Sequence, residues 1–138
     1  MIVVIRIDGR IGVEKSKREA LDRLMLRHKY NCVLLPEKEM PKVFNIKDKV
    51  MYGKIDEKTL KMLLSARGKK GNKPLAAVKD EMVKALLEDK TSLRSEGLKP
   101  YFRLHPPRGG FKKSTKLAYP RGVLGKNEKI NEWIMRML

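Results

Sequence analysis

Apolar residues follow two different spacings along this chain, and each change of spacing marks an element. Ile2-Val-Val-Ile-Arg-Ile7 is apolar at both alternating positions, interrupted only by Arg6. Successive side chains of a strand point to opposite faces, so the run predicts a strand covered on both faces and central in a small sheet. After a turn bracketed by Gly9 and Gly12, the residues Val13, Ala20, Leu21, Leu24, Met25 and His28 recur at helical spacing. They predict a helix from about Lys15 to Lys29 with Leu24 on its buried face. His28 falls on the edge of that stripe near the helix C-terminus, where a cation is favoured, and reads as a packed or capping residue rather than a ligand. Cys32 to Leu35, stopped by Pro36, predicts a second strand with Cys32 in the core. Pro41 suits the first turn of a short helix through Val43, Phe44 and Ile46, and Val50 to Ile55 predicts a third strand.

The second half is read the same way. Asp56 is placed to cap a helix marked by Leu60, Leu63 and Leu64 and stopped by Gly68. Pro74 opens a further helix to about Leu87, with Val78, Met82 and Leu86 on one face. Leu117 to Tyr119 is expected to pair with Phe102 to Leu104 as a hairpin, and Ile130, Trp133, Ile134 and Met137 predict a C-terminal helix after Asn127 with Trp133 as a core anchor. No repeat or low-complexity linker interrupts this order.

Composition narrows the partners. In 138 residues, 33 lysines and arginines face 16 acids, a net charge of +17. Any compact form spreads that excess over its surface, so polyanions relieve its self-repulsion; nucleic acid ranks first and an anionic membrane second. An apolar fraction of 41% argues for a folded core of about one domain. Cys32 stands alone and His28 and His105 are the only histidines, which excludes a disulfide and leaves too few ligands for a metal site. The apolar start is too short for a signal-peptide core and nothing later approaches a membrane span, so a cytoplasmic chain is expected.

Two stretches carry basic side chains without a carboxylate among them. Pro100 to Lys116 carries Arg103, Arg108, Lys112, Lys113 and Lys116, with His105, three aromatic rings and no carboxylate. Pro106 and Pro107 forbid helix, and Gly109-Gly110 permits a tight reversal. The stretch from His105 to Lys116 is therefore expected to stay mobile until phosphates neutralise it, with Tyr101, Phe102 and Phe111 either offering faces for a base or serving as ordinary core. The second loop carries Arg67, Lys69, Lys70 and Lys73; Lys15, Lys17 and Arg18 on the first helix form a third group.

Catalytic chemistry is not legible. Asp80-Glu81 and Glu88-Asp89 are adjacent on helices and do not face each other. Gly122-Val-Leu-Gly-Lys126 lacks the spacing of a phosphate-binding Walker loop. An RNA-cleaving enzyme with His105 as base and Lys112 as stabiliser lacks a second acid or base. A sharper alternative is Gly68-Lys-Lys-Gly71, because a GXXG loop between helices is how KH domains clamp single-stranded RNA. Here Asn72-Lys73-Pro74 delays the second helix, and the bland reading is a C-cap glycine followed by a basic turn.

Ile5-Arg-Ile-Asp-Gly-Arg-Ile-Gly-Val13, the helix with Leu21, Leu24 and Leu26, Tyr52-Gly-Lys-Ile-Asp56 and His105-Pro-Pro-Arg-Gly-Gly-Phe-Lys-Lys-Ser-Thr115 together resemble a known family. It is the archaeal type of large-subunit ribosomal protein thirty, related to eukaryotic L-seven. The resemblance spans essentially the whole chain. It implies an α+β fold: a ferredoxin-like β-α-β-α-β core over 1–55, with a three-stranded sheet, first strand central, and helices on one face. Residues 56–138 would form a basic helical and β-hairpin extension packed on that core. Implied partners are large-subunit ribosomal RNA and neighbouring ribosomal proteins, with no catalysis, cofactor or small-molecule substrate. A direct β-α-β crossover makes the first two strands parallel by default, whereas the resemblance implies antiparallel ones, and the residues leave the direction open.

Overall fold

The first strand, β1 (Ile2–Arg6), is buried along its whole length and divides the core in two. Val3 and Ile5 face a cluster built with α3 (Glu57–Arg67), α4 (Asp80–Leu87) and α5 (Ile130–Met137), through Leu60, Leu63, Leu64, Val83, Leu86 and Ile134. Ile2 and Val4 face a second cluster with Leu21 of α1 (Lys15–Arg23) and Val43 of α2 (Met40–Phe44). Apolar residues on both faces thus meet helices on both faces. Each fully buried Val or Ile contributes about 1.5–3 kcal/mol, so this strand is the densest source of stability in the fold. The architecture is that of a computed structural model, which describes residues 1–7, 9, 12–70, 73–74, 80–88, 97–111, 114–119 and 121–138.

The sheet is larger than the three strands expected. Its order is β6-β2-β1-β3-β8-β7, with β2 Asn31–Leu35, β3 Val50–Lys54, β6 Tyr101–Arg103, β7 Ser114–Ala118 and β8 Gly122–Lys126. The first strand does lie between the second and third, but the free edges of β2 and β3 are taken by β6 and by β8, the latter parallel to β3. Helices on one face only is corrected in the same way, because α3, α4 and α5 cover the second face. The predicted hairpin does not form: β6 and β7 lie on opposite edges of the sheet, and Tyr119 closes onto Leu124 through a backbone hydrogen bond of 2.9 Å. At Gly53 an added Cβ would fall 2.9 Å from both the Asn127 carbonyl and Ile130 Cγ2, so the start of α5 rests directly on the backbone of β3.

Strand direction follows from what happens after β1. Both β2 and β3 run antiparallel to it. The predicted helix to Lys29 stops at Arg23, and Met25 and Tyr30 take left-handed backbone, φ 63° and 68°. The chain thereby returns to the end of β1 that it left, with the Tyr30 amide donating to the Arg6 carbonyl at 2.7 Å. Leu24 is consequently only partly buried, while Leu21 and Leu26 are fully buried, and His28 lies exposed in the returning loop rather than on a helix edge. Arg6 explains the interruption in the first strand: its buried guanidinium donates to the carbonyls of Leu26, Arg27 and Gly9 and ties the excursion shut.

Pro74, expected in the first turn of a helix, is a strand residue. Lys73–Pro74 form β5, paired antiparallel with β4 (Lys69–Lys70), and α4 is described from Asp80, with Val83 and Leu86 as its buried positions; Val78 lies outside the described residues. Cys32 is fully buried, and desolvation pushes its thiol far above the usual range, as befits a core residue. No helix among the described residues is long and apolar enough to cross a membrane.

Candidate nucleic-acid interface

Strand β6 has three residues, about 10 Å of extended chain, and a basic loop begins at each of its ends. Just before its start, Lys99 donates its amide to the carbonyl of Lys69 at 2.9 Å, which docks the β4–β5 ladder there. Just after its end, the Leu104 amide reaches Tyr30 and the His105 amide reaches the carbonyl of Met137 at 2.9 Å. The β4–β5 ladder of one basic loop and the first part of the other are therefore brought to the β6 edge of the sheet, while Lys116 lies in β7 on the opposite edge. Lys15, Lys17 and Arg18 are carried elsewhere, on the layer of α1 and α2.

Side chains in the two loops differ in availability. Lys69, Lys73, Arg103, His105 and Arg108 are exposed. Arg67 is half-buried at the end of α3, and its Nε is a buried donor without an acceptor. For Lys70 and Lys116 only the backbone is described, in β4 and β7, and Lys112 and Lys113 lie outside the described residues. On α1, Lys15 and Arg18 are exposed, but Lys17 holds Asp48 at 2.6 Å. That hydrogen bond raises the lysine's pKa and part-neutralises it toward any other anion.

The aromatic faces are mostly committed to the protein. Phe102 is 2% exposed and belongs to the core. Phe111 is sandwiched between Tyr30, at 6.3 Å between ring centroids, and Trp133, at 5.1 Å. Trp133 is itself part of the core cluster, as its helical spacing predicted. Tyr101 stays half-buried at the edge with the Arg103 guanidinium 5.9 Å from its ring. A base therefore has Tyr101 to stack on, and neither Phe102 nor Phe111.

The stretch from His105 to Phe111 is not loose in the way its prolines, glycines and charges suggest. Gly109 and Gly110 adopt φ 75° and 73°, and the Gly110 amide closes a turn onto Pro107, which is buried. The Arg108 amide donates to the Arg136 carbonyl at 3.1 Å. In return, the Arg136 guanidinium donates to the carbonyls of Arg108 at 2.6 Å and Gly110 at 2.9 Å. Arg136 escaped the sequence reading because its partners lie 28 and 26 residues away and no local spacing couples them. The company that Arg18 of the third group keeps was missed: with Arg6, Arg27 and Asp22 it lines a cleft of about 500 Å³ beside α1.

The KH-type clamp is corrected by local geometry. A clamp needs a helix starting at its second glycine, whereas Lys69 and Lys70 are strand residues paired with Pro74 and Lys73. Gly68 ends α3 with extended backbone, φ −64° and ψ 136°, and a Cβ there would collide with the carbonyl of Leu64. Gly68→Ala should accordingly lower stability by about 1–3 kcal/mol in chemical denaturation. A loss too small to measure would mean that the last turn of α3 yields freely. Among the described residues no group of three His, Cys, Asp or Glu side chains could hold a metal ion.

No family model matches the chain. Curated proteins do match it, end to end. "Large ribosomal subunit protein uL30" of Archaeoglobus fulgidus is 40% identical over an alignment covering 99% of each chain. The protein of the same description from Methanosphaera stadtmanae is 37% identical over 100% of each, and that from Staphylothermus marinus is 40% identical over 100% of this chain and 98% of its own. Identity at this level, over alignments that span the chain end to end, places the chain in the family of large ribosomal subunit protein uL30.

Proposed function

We propose that the chain is a structural component of the large ribosomal subunit, not an enzyme, that works in the cytoplasm by binding large-subunit ribosomal RNA. The observation that carries this reading is the end-to-end likeness to proteins described as large ribosomal subunit proteins, in a chain of net charge +17. Arg103, His105 and Arg108 at the end of β6, Lys112, Lys113 and Lys116 further along the same stretch, and Arg67, Lys69, Lys70 and Lys73 beside the start of β6 are the proposed phosphate contacts. Lys15, Lys17 and Arg18 are subsidiary ones. Phosphate contacts of this kind position a protein on folded RNA without reading base sequence. Residues 1–55, whose three antiparallel strands carry α1 and α2 on one face, act in this proposal as a ferredoxin-like core. Residues 56–138 act as an extension that supplies the RNA-facing loops and contacts to neighbouring ribosomal proteins.

Co-sedimentation tests the proposal. Tagged protein should track the large subunit through a density gradient at moderate salt. Recovery with the free soluble fraction would sink it.

A further inference from the structure

We propose that Arg136 is a positioning residue: it holds the loop from His105 to Gly110 in an RNA-ready shape before any RNA arrives, without itself contacting phosphate. The inference rests on the ribosomal-RNA reading above and adds to it the way in which one of the two loops is built.

The argument begins at the end of α5. The last carbonyls of a helix have no partner within the helix, and two of them, on Arg136 and Met137, receive the amides of Arg108 and His105. The negative end of the helix dipole also favours the cationic loop packed against it. A planar guanidinium then completes the arrangement. From Arg136 it spans the carbonyls of Arg108 and Gly110, on either side of Gly109, while lying 4.7 Å from the ring of Trp133. The opposite wall is Phe111, packed on the same tryptophan. A like-charged loop with two left-handed glycines has many conformations to lose. Here those conformations are removed by contacts internal to the protein, so RNA does not bear their entropy. Both donated hydrogen bonds come from Nη2, and the side chain is half-buried with its flat face on the indole. That nitrogen is thus engaged by the loop, at a position that solvent still reaches.

Lysine reproduces this role poorly, since its ammonium can donate to carbonyls but lacks the planar face that lies against the indole. Two variants, Arg136→Lys and Arg136→Met, would be compared with the wild-type full chain. The RNA probe is an in vitro transcript of the large-subunit ribosomal RNA, and binding is measured by filter retention across a salt series. Amide exchange over residues 105–111 is followed on the free protein. Both variants should bind about tenfold more weakly, with the slope of log affinity against log salt unchanged and with faster exchange at His105, Arg108 and Gly110. Full affinity in the lysine variant would overturn the proposal by showing that charge alone matters. A slope reduced by about 0.7–0.9 in the methionine variant would overturn it by making Arg136 a phosphate contact. If the methionine variant fails to fold, the exchange of the lysine variant decides, and a loop still protected there defeats the proposal. Failure of the wild-type protein to retain the transcript would instead remove the RNA reading, and the exchange measurement would still judge the positioning.

Discussion

Arg6→Leu should cost about 3–5 kcal/mol of folding stability. The wild-type guanidinium is 1% exposed and serves the carbonyls of Leu26 at 2.7 Å, Arg27 at 3.0 Å and Gly9 at 3.2 Å. Hydrogen bonds to a charged group are worth about 1.5–3 kcal/mol each, and a buried carbonyl left without a donor costs about 1–3 kcal/mol. Leucine recovers about 2 kcal/mol by burying apolar surface where the arginine stem lay. The net loss is a large part of the 5–15 kcal/mol that holds a typical domain together. Arg6→Lys should be intermediate, because one ammonium cannot reach carbonyls on both the 24–30 return and the Gly9 turn. Urea unfolding of the three proteins measures this. A leucine variant within about 1 kcal/mol of wild type would show that water or neighbouring donors replace the guanidinium without difficulty.

The second large effect is on binding. Replacing Arg103, Arg108, Lys112 and Lys113 together by alanine should flatten the dependence of log affinity on log salt by about 3, each lost phosphate contact removing about 0.7–0.9. At low salt this corresponds to a loss of several orders of magnitude. Stability should hold, or rise slightly as like-charge repulsion falls. Geometry gives a reason for that independence at Arg108: its backbone, not its side chain, is what Arg136 grips, and the side chain is exposed. Filter binding across a salt series, with thermal melts in parallel, separates the outcomes. An unchanged slope would move the RNA face to the loop from Arg67 to Lys73. A collapsed melting temperature would make the His105 stretch part of the fold rather than of the interface.

What could be read from the residues was whatever depends on neighbours in sequence. The double burial of β1, the proline at the start of α2 and the stripe of α5 arise from spacing or from one residue's backbone preference, and the stop of α3 falls at the expected Gly68, though there for want of room beside the Leu64 carbonyl. The end of α1 was not legible because the apolar pattern continues past it. Leu26 is buried by the returning loop and not by a helix, so the same residues satisfy a helical period without being helical. Strand β8 was hidden for another reason: two glycines in Gly122-Val-Leu-Gly-Lys126 lower its intrinsic strand preference, and only pairing with β3 and packing of Val123 and Leu124 make it a strand. In the two basic loops the charges were plain, but the contacts that hold the stretch from His105 to Phe111 were not, since they come from Arg136 and Trp133 near the other end of the chain.

Because β6 and β8 are the outer neighbours of β2 and β3, the order of synthesis matters. A nascent chain that has completed β3 can already cover Ile2 and Val4 with α1 and α2, yet Val3, Ile5, Cys32 and Met51 have nothing to meet until α3, α4 and α5 are made. For that interval the emerging protein presents an oily sheet face flanked by two unpaired strand edges, the combination that invites aggregation in partly made chains. The same segment that carries the two basic loops is the one that closes this face. A chain truncated before α5 should therefore be lost to the cell's quality control rather than persist as a binding-deficient protein.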